Sequence, residues 1–269
     1  MEENRIYLSK NIDLLKKMGD STCDIIYGDI LYNTGKTFND YCDNLGDDGN
    51  VIDFYIPILQ ECYRVLKNTG VIVLQMDFRI NYLLRLCLNR VFGKNNFVNE
   101  LVWCYNVQGY SKDRFSQKHD TLLVFSKTSN FKFNLIREGS PSEGSIKRFL
   151  PEIKKNGGYK EYKTGKFVEI TEEEFLKIGH PPYSWFTDIN VLPAQHKERR
   201  FGKYDTQKPE KLLEKIILAF SDEGSLFLDI FNGSGTGCVV AKRLNRRFIG
   251  CDISTKSIEI TNKRLNDEK

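Results

Sequence analysis

The sequence predicts an α/β protein with a mostly parallel sheet that helices cover on both faces. Short apolar runs that are typical of buried strands alternate with segments in which apolar residues recur at helical spacing. The chain has 269 residues, which is enough for one large α/β domain with an elaboration or for two modest domains.

The composition is that of a globular, mildly basic protein. Hydrophobic residues make up 40% and charged residues 28%, and the net charge of +4 is compatible with a nucleic-acid partner. No apolar run could span a membrane, and the first residues lack the apolar core of a signal peptide. Seven cysteines without a Cys-x-x-Cys pair, and only three histidines, predict no metal site. We expect reduced cysteines, a cytoplasmic location and no membrane partner.

Strands and helices alternate through the first half of the chain. The apolar run at 23–29 predicts a buried strand, which ends at the turn-rich residues 32–36. The same patterns predict helices over 51–67 and 79–92, and strands over 71–77, 97–105 and 121–126.

The pattern changes near residue 130. From there to about 200 the chain is polar and rich in glycine and lysine, which indicates an inserted lobe. The α/β pattern then returns with a helix over 208–220, a strand over 226–231, a helix over 237–245, a strand over 247–251 and a last helix from about 255.

A glycine-rich turn follows the strand at 226–231 and opens the next helix. At Gly233 or Gly235 a Cβ atom would block a nucleoside from lying against the turn. The following strand ends at Asp252, nineteen residues after Gly233, where a Rossmann-like unit places the carboxylate that accepts from ribose hydroxyls. An ordinary strand-to-helix turn is the alternative, but the flanking strands and the spaced acid favour a nucleoside cofactor.

A second candidate site lies at the end of the first strand, where Tyr32 follows Asp29 by three residues. Because ligands of open α/β sheets bind beyond the carboxyl ends of strands, Asp29 and Gly233 are placed to face one cleft. A carboxylate beside an aromatic ring suits recognition of a flipped base. The alternative is a plain strand end with Ile30 and Leu31 in the core.

Five blocks of sequence carry a resemblance to a known family. The segment DIIYGDILYNTG at 24–35 is similar to a catalytic segment written DPPYNTG, and DIFNGSGTG at 229–237 is similar to a cofactor loop written DPFxGSGTT. With TQKP at 206–209 and the strand blocks at 114–127 and 246–252, these resemble the β-class amino-DNA methyltransferases. That family methylates adenine N6 or cytosine N4 with S-adenosylmethionine.

The resemblance implies a Rossmann-like methyltransferase sheet in circularly permuted order. A catalytic half at 1–129 and a cofactor-binding half at 201–269 would flank a target-recognition lobe at 130–200. The implied cofactor is S-adenosylmethionine and the implied substrate is double-stranded DNA. The resemblance also implies a cognate restriction endonuclease and a homodimer as further partners.

The resemblance also implies roles for the catalytic segment. Asp29 would accept a hydrogen bond from the target amine, the Ile30 carbonyl would accept its second hydrogen, and Tyr32 would stack on the flipped base. An acid at the first position favours adenine N6, since cytosine-N4 enzymes more often carry serine there.

The implied cofactor residues form a second group, in which Asp252 would hold the ribose and Lys208 would lie near the far end of the cofactor. The full set is Lys208, Asp229, Phe231, Gly233, Ser234, Gly235, Thr236 and Asp252.

Ile30 and Leu31 replace the two prolines of the family pattern. Because proline fixes φ, the turn that aims the Ile30 carbonyl is expected to be less constrained here. Three alternatives stay open: cytosine N4 as the target, an RNA substrate, and a degenerate homologue that binds DNA without catalysis.

Two basic segments are candidates for contact with DNA. Residues 195–215 hold seven basic side chains, Lys203 among them, against four acids, and a second basic group lies near 111–119. Phosphate binding is the functional interpretation, and a solvated charged surface is the alternative. The predicted DNA-binding residues are Arg114, Lys118, His119, Arg199 and Arg200.

Overall fold

The computed structural model describes residues 1–37, 41–161, 164–202, 204 and 206–268, so Lys203 of the predicted basic segment lies outside the described residues. The chain divides into two compact units. The first contains Met1–Asn134 and Ser184–Lys269, and the second contains Leu135–Tyr183. Across the described ranges, no helix is long and apolar enough to cross a membrane.

The elements of the structure alternate between strands and helices through most of the first unit. Up to Asn134 they are β1 (Arg5–Leu8), α1 (Asn11–Lys17), β2 (Cys23–Asp29), β3 (Lys36–Thr37), β4 (Cys42–Asp43), α2 (Asp48–Val65), β5 (Leu66–Met76), α3 (Asn81–Phe92), β6 (Phe97–Cys104) and β7 (His119–Ser126). The second unit contains α4 (Glu143–Asn156), β8 (Gly158–Lys160), β9 (Phe167–Glu169) and α5 (Glu172–Lys177). The first unit resumes with β10 (Trp185–Phe186), α6 (Glu210–Phe220), β11 (Leu226–Asp229), α7 (Thr236–Arg243), β12 (Arg247–Asp252) and α8 (Thr255–Asp267).

One large sheet organises the first unit. Among the described residues it has eight strands, in the order β1-β12-β11-β2-β5-β7-β6-β10. Strand β7 runs antiparallel to β5 and β6, and the other neighbouring pairs are parallel. The prediction of a mostly parallel sheet is confirmed.

Helices cover both faces of the sheet, as predicted. Ile26 of β2 and Leu228 of β11 are fully buried in one apolar cluster with residues of α1, α2 and α3. Phe227 points the other way, because successive strand residues alternate between faces, and its ring lies against Gly237 of α7. The central strands are therefore apolar on both sides, which is why they read as unbroken apolar runs.

The sequence analysis missed β1, α1 and β10. Strand β1 has only four residues and lies at the edge of the sheet. Four residues are too few for an alternation of buried and exposed side chains to be recognised in the sequence. Strand β10 has two residues, Trp185 and Phe186, and it exists because its backbone pairs with β6. Both strands depend on pairing with a strand that is distant in sequence.

The second unit has its own small aromatic core, made by Phe149, Tyr159 and Phe175. Helix α5 begins at a capping box in which Thr171 and Glu174 exchange hydrogen bonds. The predicted lobe at 130–200 contains this unit, whereas the structure assigns residues 130–134 and 184–200 to the first unit. Residues 184–200 belong to the first unit because β10 pairs with β6 of the large sheet.

Gly235 offers a test of how the first unit packs. It immediately precedes α7 with φ at 75°, and a Cβ atom there would overlap the Thr261 side chain of α8. Gly224 has the same φ but is exposed, and no heavy atom lies within 4 Å of the position that a Cβ atom would take there. We expect Gly224→Ala to lower the free energy of unfolding by about 1–2 kcal/mol, through φ strain alone. Gly235→Ala should cost a further 1–3 kcal/mol, roughly, because of the overlap.

Urea denaturation of the two variants measures this difference. Equal losses of stability in Gly235→Ala and Gly224→Ala would contradict the proposed packing of α7 on α8.

Candidate active site

A cavity of about 660 Å³ lies beyond the carboxyl ends of β2, β11 and β12. Its lining includes Asp29 and Tyr32 from the first half of the chain, and Gly233 and Asp252 from the last part. This is the edge at which open α/β sheets bind ligands, and the volume is within the range of small-molecule sites. The structure thus brings the predicted catalytic residues, and the predicted cofactor residues other than Gly235, to one cavity.

Asp29, the last residue of β2, is paired with Lys208. The Lys208 ammonium donates to Asp29 Oδ2 at 2.7 Å, and only 12% of the lysine side chain is exposed. Asp29 Oδ1 accepts from the Tyr32 hydroxyl at 2.8 Å. Burial raises the pKa of Asp29, while the charge of Lys208 opposes the rise. Lys208, which the sequence analysis put near the far end of a cofactor, therefore lies against the predicted catalytic acid.

Asp120, the second residue of β7, was missed by the sequence analysis. It is 4% exposed, and its Oδ2 lies 2.9 Å from the Tyr32 hydroxyl. The same oxygen accepts from the Gln75 amide at 2.8 Å, and Oδ1 accepts from the Tyr105 hydroxyl at 3.0 Å. The signal in the sequence was an acid inside an apolar strand, since acids are rarely buried without partners.

Hydrogen bonds and packing hold the turn in which Ile30 and Leu31 replace prolines. The Ile30 amide donates to the Gln75 carbonyl at 3.2 Å, a bond that proline could not make. The Ile30 side chain is buried in the apolar cluster, and the Leu31 carbonyl accepts from the Tyr55 hydroxyl at 3.0 Å. These contacts to β5 and α2 constrain the turn in the absence of the proline rings.

The turn after β11 presents Gly233 to the cavity. Gly233 has φ at 50°, and a Cβ atom there would lie 3.3 Å from the Tyr204 ring. Its amide donates to Asp252 Oδ2 at 2.7 Å, and Asp252 Oδ1 accepts from the Ser254 amide at 2.9 Å. Asp252 also lines the cavity, so its carboxylate lies where a ligand hydroxyl could reach it.

The next residues of the turn are held by α8. Gly235 leaves room for Thr261 of that helix, not for a nucleoside as the sequence analysis expected. Ser234 and Thr236 line the cavity, and the buried Arg264 of α8 donates to the Ser234 carbonyl at 2.9 Å and the Thr236 hydroxyl at 3.0 Å. The sequence analysis missed Arg264, which fixes the shape of the turn.

Asp229 ends β11 and lines the cavity, with 2% of its surface exposed. Its Oδ1 accepts from the amide of Phe231, which also lines the cavity and packs on the apolar core. Burial raises the pKa of Asp229 to about 8, and the carboxylates of Asp29 and Asp252 add to the rise. A cation bound nearby would favour the ionised form of this acid.

The charges around the cavity fit a cationic ligand that carries a nucleoside. Acidic groups outnumber ammonium groups among the described lining residues, with Asp29, Asp43, Asp53, Asp229 and Asp252 against Lys10 and Lys208, and Asp229 becomes charged only as the pH approaches 8. The open face of the glycine turn and the Asp252 carboxylate suit a ribose. The residues present therefore fit S-adenosylmethionine, whose sulfonium and ammonium groups are cations.

Three of the predicted DNA-contact residues lie near the connection from β6 to β7. Arg114 is 71% exposed along its side chain and pairs with Asp113, and Lys118 donates to the Val107 carbonyl. His119 begins β7 and immediately precedes Asp120. This connection therefore lies at the same edge of the sheet as Tyr32.

Arg199 and Arg200 lie elsewhere. They belong to a short 3-10 turn and its end, and Arg200 pairs with Asp267 of α8. Arg200 lines a separate cavity of about 240 Å³, together with Glu210 and other charged side chains. The structure does not bring these two arginines to the cavity that Asp29 lines.

A glycine turn after a buried strand, an acid at the end of the next strand and a cavity at the carboxyl edge define an α/β protein built to hold a nucleoside ligand. Comparison with known proteins gives the family. The N6_N4_Mtase family model, described as DNA methylase, matches residues 23–263. The chain belongs to the N6/N4 DNA methylase family, and the predicted family and fold are confirmed.

Relatives and solved structures extend over nearly the whole chain. It is 33% identical to the type II methyltransferase M.HpaI of Haemophilus parainfluenzae, over 99% of this chain and 75% of that protein. It is 28% identical to the DNA adenine methyltransferase YhdJ of Escherichia coli K12, over 94% and 79% of the two chains. The solved M1.HpyAVI–SAM complex shares the fold, with a TM-score of 0.58 and 18% identity over 97% of this chain and 98% of that one.

Asp229 makes the stability of the protein depend on pH. Its pKa is about 8 in the folded protein against an ordinary value of 3.8, so the folded state holds a proton that the unfolded state loses. Across that interval the contribution of Asp229 to the free energy of unfolding should fall by up to about 1.4 kcal/mol per pH unit as pH rises.

We expect Asp229→Asn to remove this contribution to the change of the free energy of unfolding with pH. Urea denaturation of both proteins at several pH values between 5 and 8 measures this contribution. The other buried acids are present in both proteins, so their contributions cancel when the two are compared. Identical slopes for the variant and the unchanged protein would contradict the assignment.

Proposed function

We propose that this protein transfers a methyl group from S-adenosylmethionine to N6 of adenine in double-stranded DNA. The observation that carries the proposal is the position of Asp29. Its carboxylate lines the cavity that Gly233 and Asp252 also line, and Lys208 holds one of its oxygens at 2.7 Å. An amine acceptor and a nucleoside cradle therefore share one space.

The cofactor would lie along the glycine turn. Asp252 would accept from the ribose hydroxyls, Phe231 and Gly233 would shape the pocket, and the buried Asp229 would face the cationic part of the ligand. Ser234 and Thr236 would form the wall that Arg264 supports. When bound, S-adenosylmethionine supplies a methyl group bonded to a positively charged sulfur.

The residues of this chain would then position the target amine. Asp29 and the Ile30 carbonyl would accept its two hydrogens, which turns the nitrogen lone pair towards the methyl carbon, and Tyr32 would stack on the base. S-adenosylmethionine would supply the methyl group and keep the carbon–sulfur bonding pair, and the nitrogen held by Asp29 and the Ile30 carbonyl would release one proton as its new bond to carbon forms. Positioning is the main task, because misplacement by about 1 Å can cost a hundredfold in rate.

Two observations favour adenine over cytosine. The acid at position 29 is the residue type that favours adenine N6 in the family resemblance, and the relative YhdJ is named a DNA adenine methyltransferase. Cytosine N4 is the alternative within the same family. The second unit, Leu135–Tyr183, is the proposed target-recognition lobe because it is inserted between the catalytic and cofactor segments.

DNA would contact the connection between β6 and β7. Arg114 and Lys118 offer positive charge there, and Phe115 is 96% exposed, which is unusual for a side chain of its size. Arg199 and Arg200 are proposed to contact phosphates outside the cavity. A cognate restriction endonuclease and a homodimer remain proposed partners, and the type II relative M.HpaI supports the first.

Product analysis tests the proposal. The protein would be incubated with S-adenosylmethionine and unmethylated genomic DNA, and the digested nucleosides would be analysed by mass spectrometry. We expect N6-methyladenine, and we expect Asp29→Ala to lower the rate at least a hundredfold because the amine loses its acceptor. Formation of N4-methylcytosine would show that the target is cytosine and not adenine. Methylation of RNA alone would show that DNA is not the substrate.

The proposed DNA contact makes a separate prediction. Arg114→Gln should weaken DNA binding about threefold to tenfold at low salt, because one phosphate contact is lost. For the same reason, the slope of the logarithm of the binding constant against the logarithm of the salt concentration should become smaller in magnitude by about one. Arg5→Gln is the matched control, since Arg5 is an exposed arginine paired with Glu2 on the opposite edge strand. Fluorescence anisotropy at several salt concentrations measures both. An equal effect of the two variants would mean that Arg114 acts through net charge alone.

A further inference from the structure

We propose that Asp120 is a positioning residue that acts through Tyr32, and that it takes up the proton that the methylated amine releases through Asp29. This inference rests on the proposed function, and it assigns a task to a buried acid that the family pattern does not explain.

The first argument is a count of hydrogens. The Tyr32 oxygen lies 2.8 Å from Asp29 Oδ1 and 2.9 Å from Asp120 Oδ2. A phenol has one hydrogen, so it can donate to only one of the two carboxylates at a time. With both acids ionised, the other contact brings lone pairs together. One added proton, on either acid, converts both contacts into hydrogen bonds.

The second argument is the fixed orientation of Asp120. Tyr27 donates to Gln75 Oε1 at 2.7 Å, which turns the Gln75 amide nitrogen towards Asp120. The Tyr105 hydroxyl binds the other carboxylate oxygen. Asp120 is 4% exposed and Gln75 is fully buried, so neither rearranges freely. This framework holds Asp120 Oδ2 against Tyr32.

The third argument concerns the charges that face the pair. Lys208 contacts Asp29 from the segment before α6, Asp120 faces it from β7, and Asp229 lies nearby at the end of β11. Burial raises the pKa of Asp29, and the charge of Asp120 adds to that rise. Burial also keeps the pKa of Tyr32 well above its ordinary value, so the phenol stays protonated and can pass a proton on.

The proton transfer balances without another reactant. After methyl transfer, the amine nitrogen gives one proton to Asp29. Asp29 then donates to the Tyr32 oxygen as the Tyr32 hydroxyl proton moves to Asp120 Oδ2. The net change is one proton moved from the amine to Asp120, with Asp29 ionised again and Tyr32 intact. Only the hydroxyl of Tyr32 takes part in the transfer, so the transfer does not use the ring on which the base would stack.

Asp120→Asn tests this inference because asparagine keeps the shape and cannot take up the proton. We expect single-turnover methylation to slow by about 10-fold to 100-fold, while binding of S-adenosylmethionine and DNA changes by less than about twofold. The acidic limb of the pH–rate profile should move to lower pH, since removing the Asp120 charge lowers the pKa of Asp29. A purely structural role for Asp120 would move this limb in the same way, so the double variant with Tyr32→Phe, in which the two rate losses should not add, separates the two roles.

Tyr32→Phe provides the second variant, because it keeps the ring and breaks the path. The double variant Tyr32→Phe with Asp120→Asn should be no slower than the slower single variant. Asp222→Asn, which removes an exposed charge outside the cavity lining, is the control for net charge. Additive losses, or an unmoved acidic limb in an active Asp120→Asn protein, would overturn the inference.

A readout without catalysis separates this inference from the proposed function. The transfer requires both acids to be ionised at the pH of the assay. Infrared spectra of the ligand-free protein, recorded as the pH is lowered below that value, should show a protonated carboxyl band at a pH where Asp120→Asn shows none. Asp229 cancels in the difference between the two proteins. Absence of the band would overturn the shared proton even if the protein methylates DNA. Presence of the band in a protein that forms no methylated base would instead overturn the proposed function.

Discussion

The parallel pairing of β2 with β11 places two distant parts of the chain side by side. In this register Asp229 pairs with Tyr27, so the last residues of both strands reach the same edge of the sheet. The proposed amine acceptor Asp29 and the proposed cofactor turn after Asp229 then open into one cavity. A shift of one residue would turn either side chain to the opposite face, because strand residues alternate.

The cavity concentrates negative charge and holds it with few cations. Lys208 neutralises one oxygen of Asp29, and the buried Asp229 has a pKa of about 8 because burial and the neighbouring carboxylates both disfavour its charge. Such an arrangement is unfavourable for the empty protein and favourable for a cationic ligand. The same charges that lower stability at high pH would therefore raise affinity for S-adenosylmethionine.

Neighbouring elements constrain the catalytic segment where its sequence departs from the family pattern. Pro-Pro would stiffen the turn through φ, whereas this chain uses the Ile30 amide, the buried Ile30 side chain and the Tyr55 hydroxyl. The Tyr32 hydroxyl is held in turn by Asp29 and Asp120. Local stiffness has been replaced by contacts to β5, α2 and β7, which supports a catalytic role over a degenerate one.

The sequence by itself determined the parallel α/β sheet, its buried central strands, the glycine turn, Asp252 and the family, because each of these leaves a local pattern. The tertiary structure decided which distant residues share the cavity. It moved Lys208 to Asp29, gave Gly235 a packing contact with α8, and separated Arg200 from the cavity. Arg264 had no local signature, and the acid inside the apolar strand β7 marked Asp120 as buried without indicating its role, since the role of a buried charge depends on the partners that the fold brings to it.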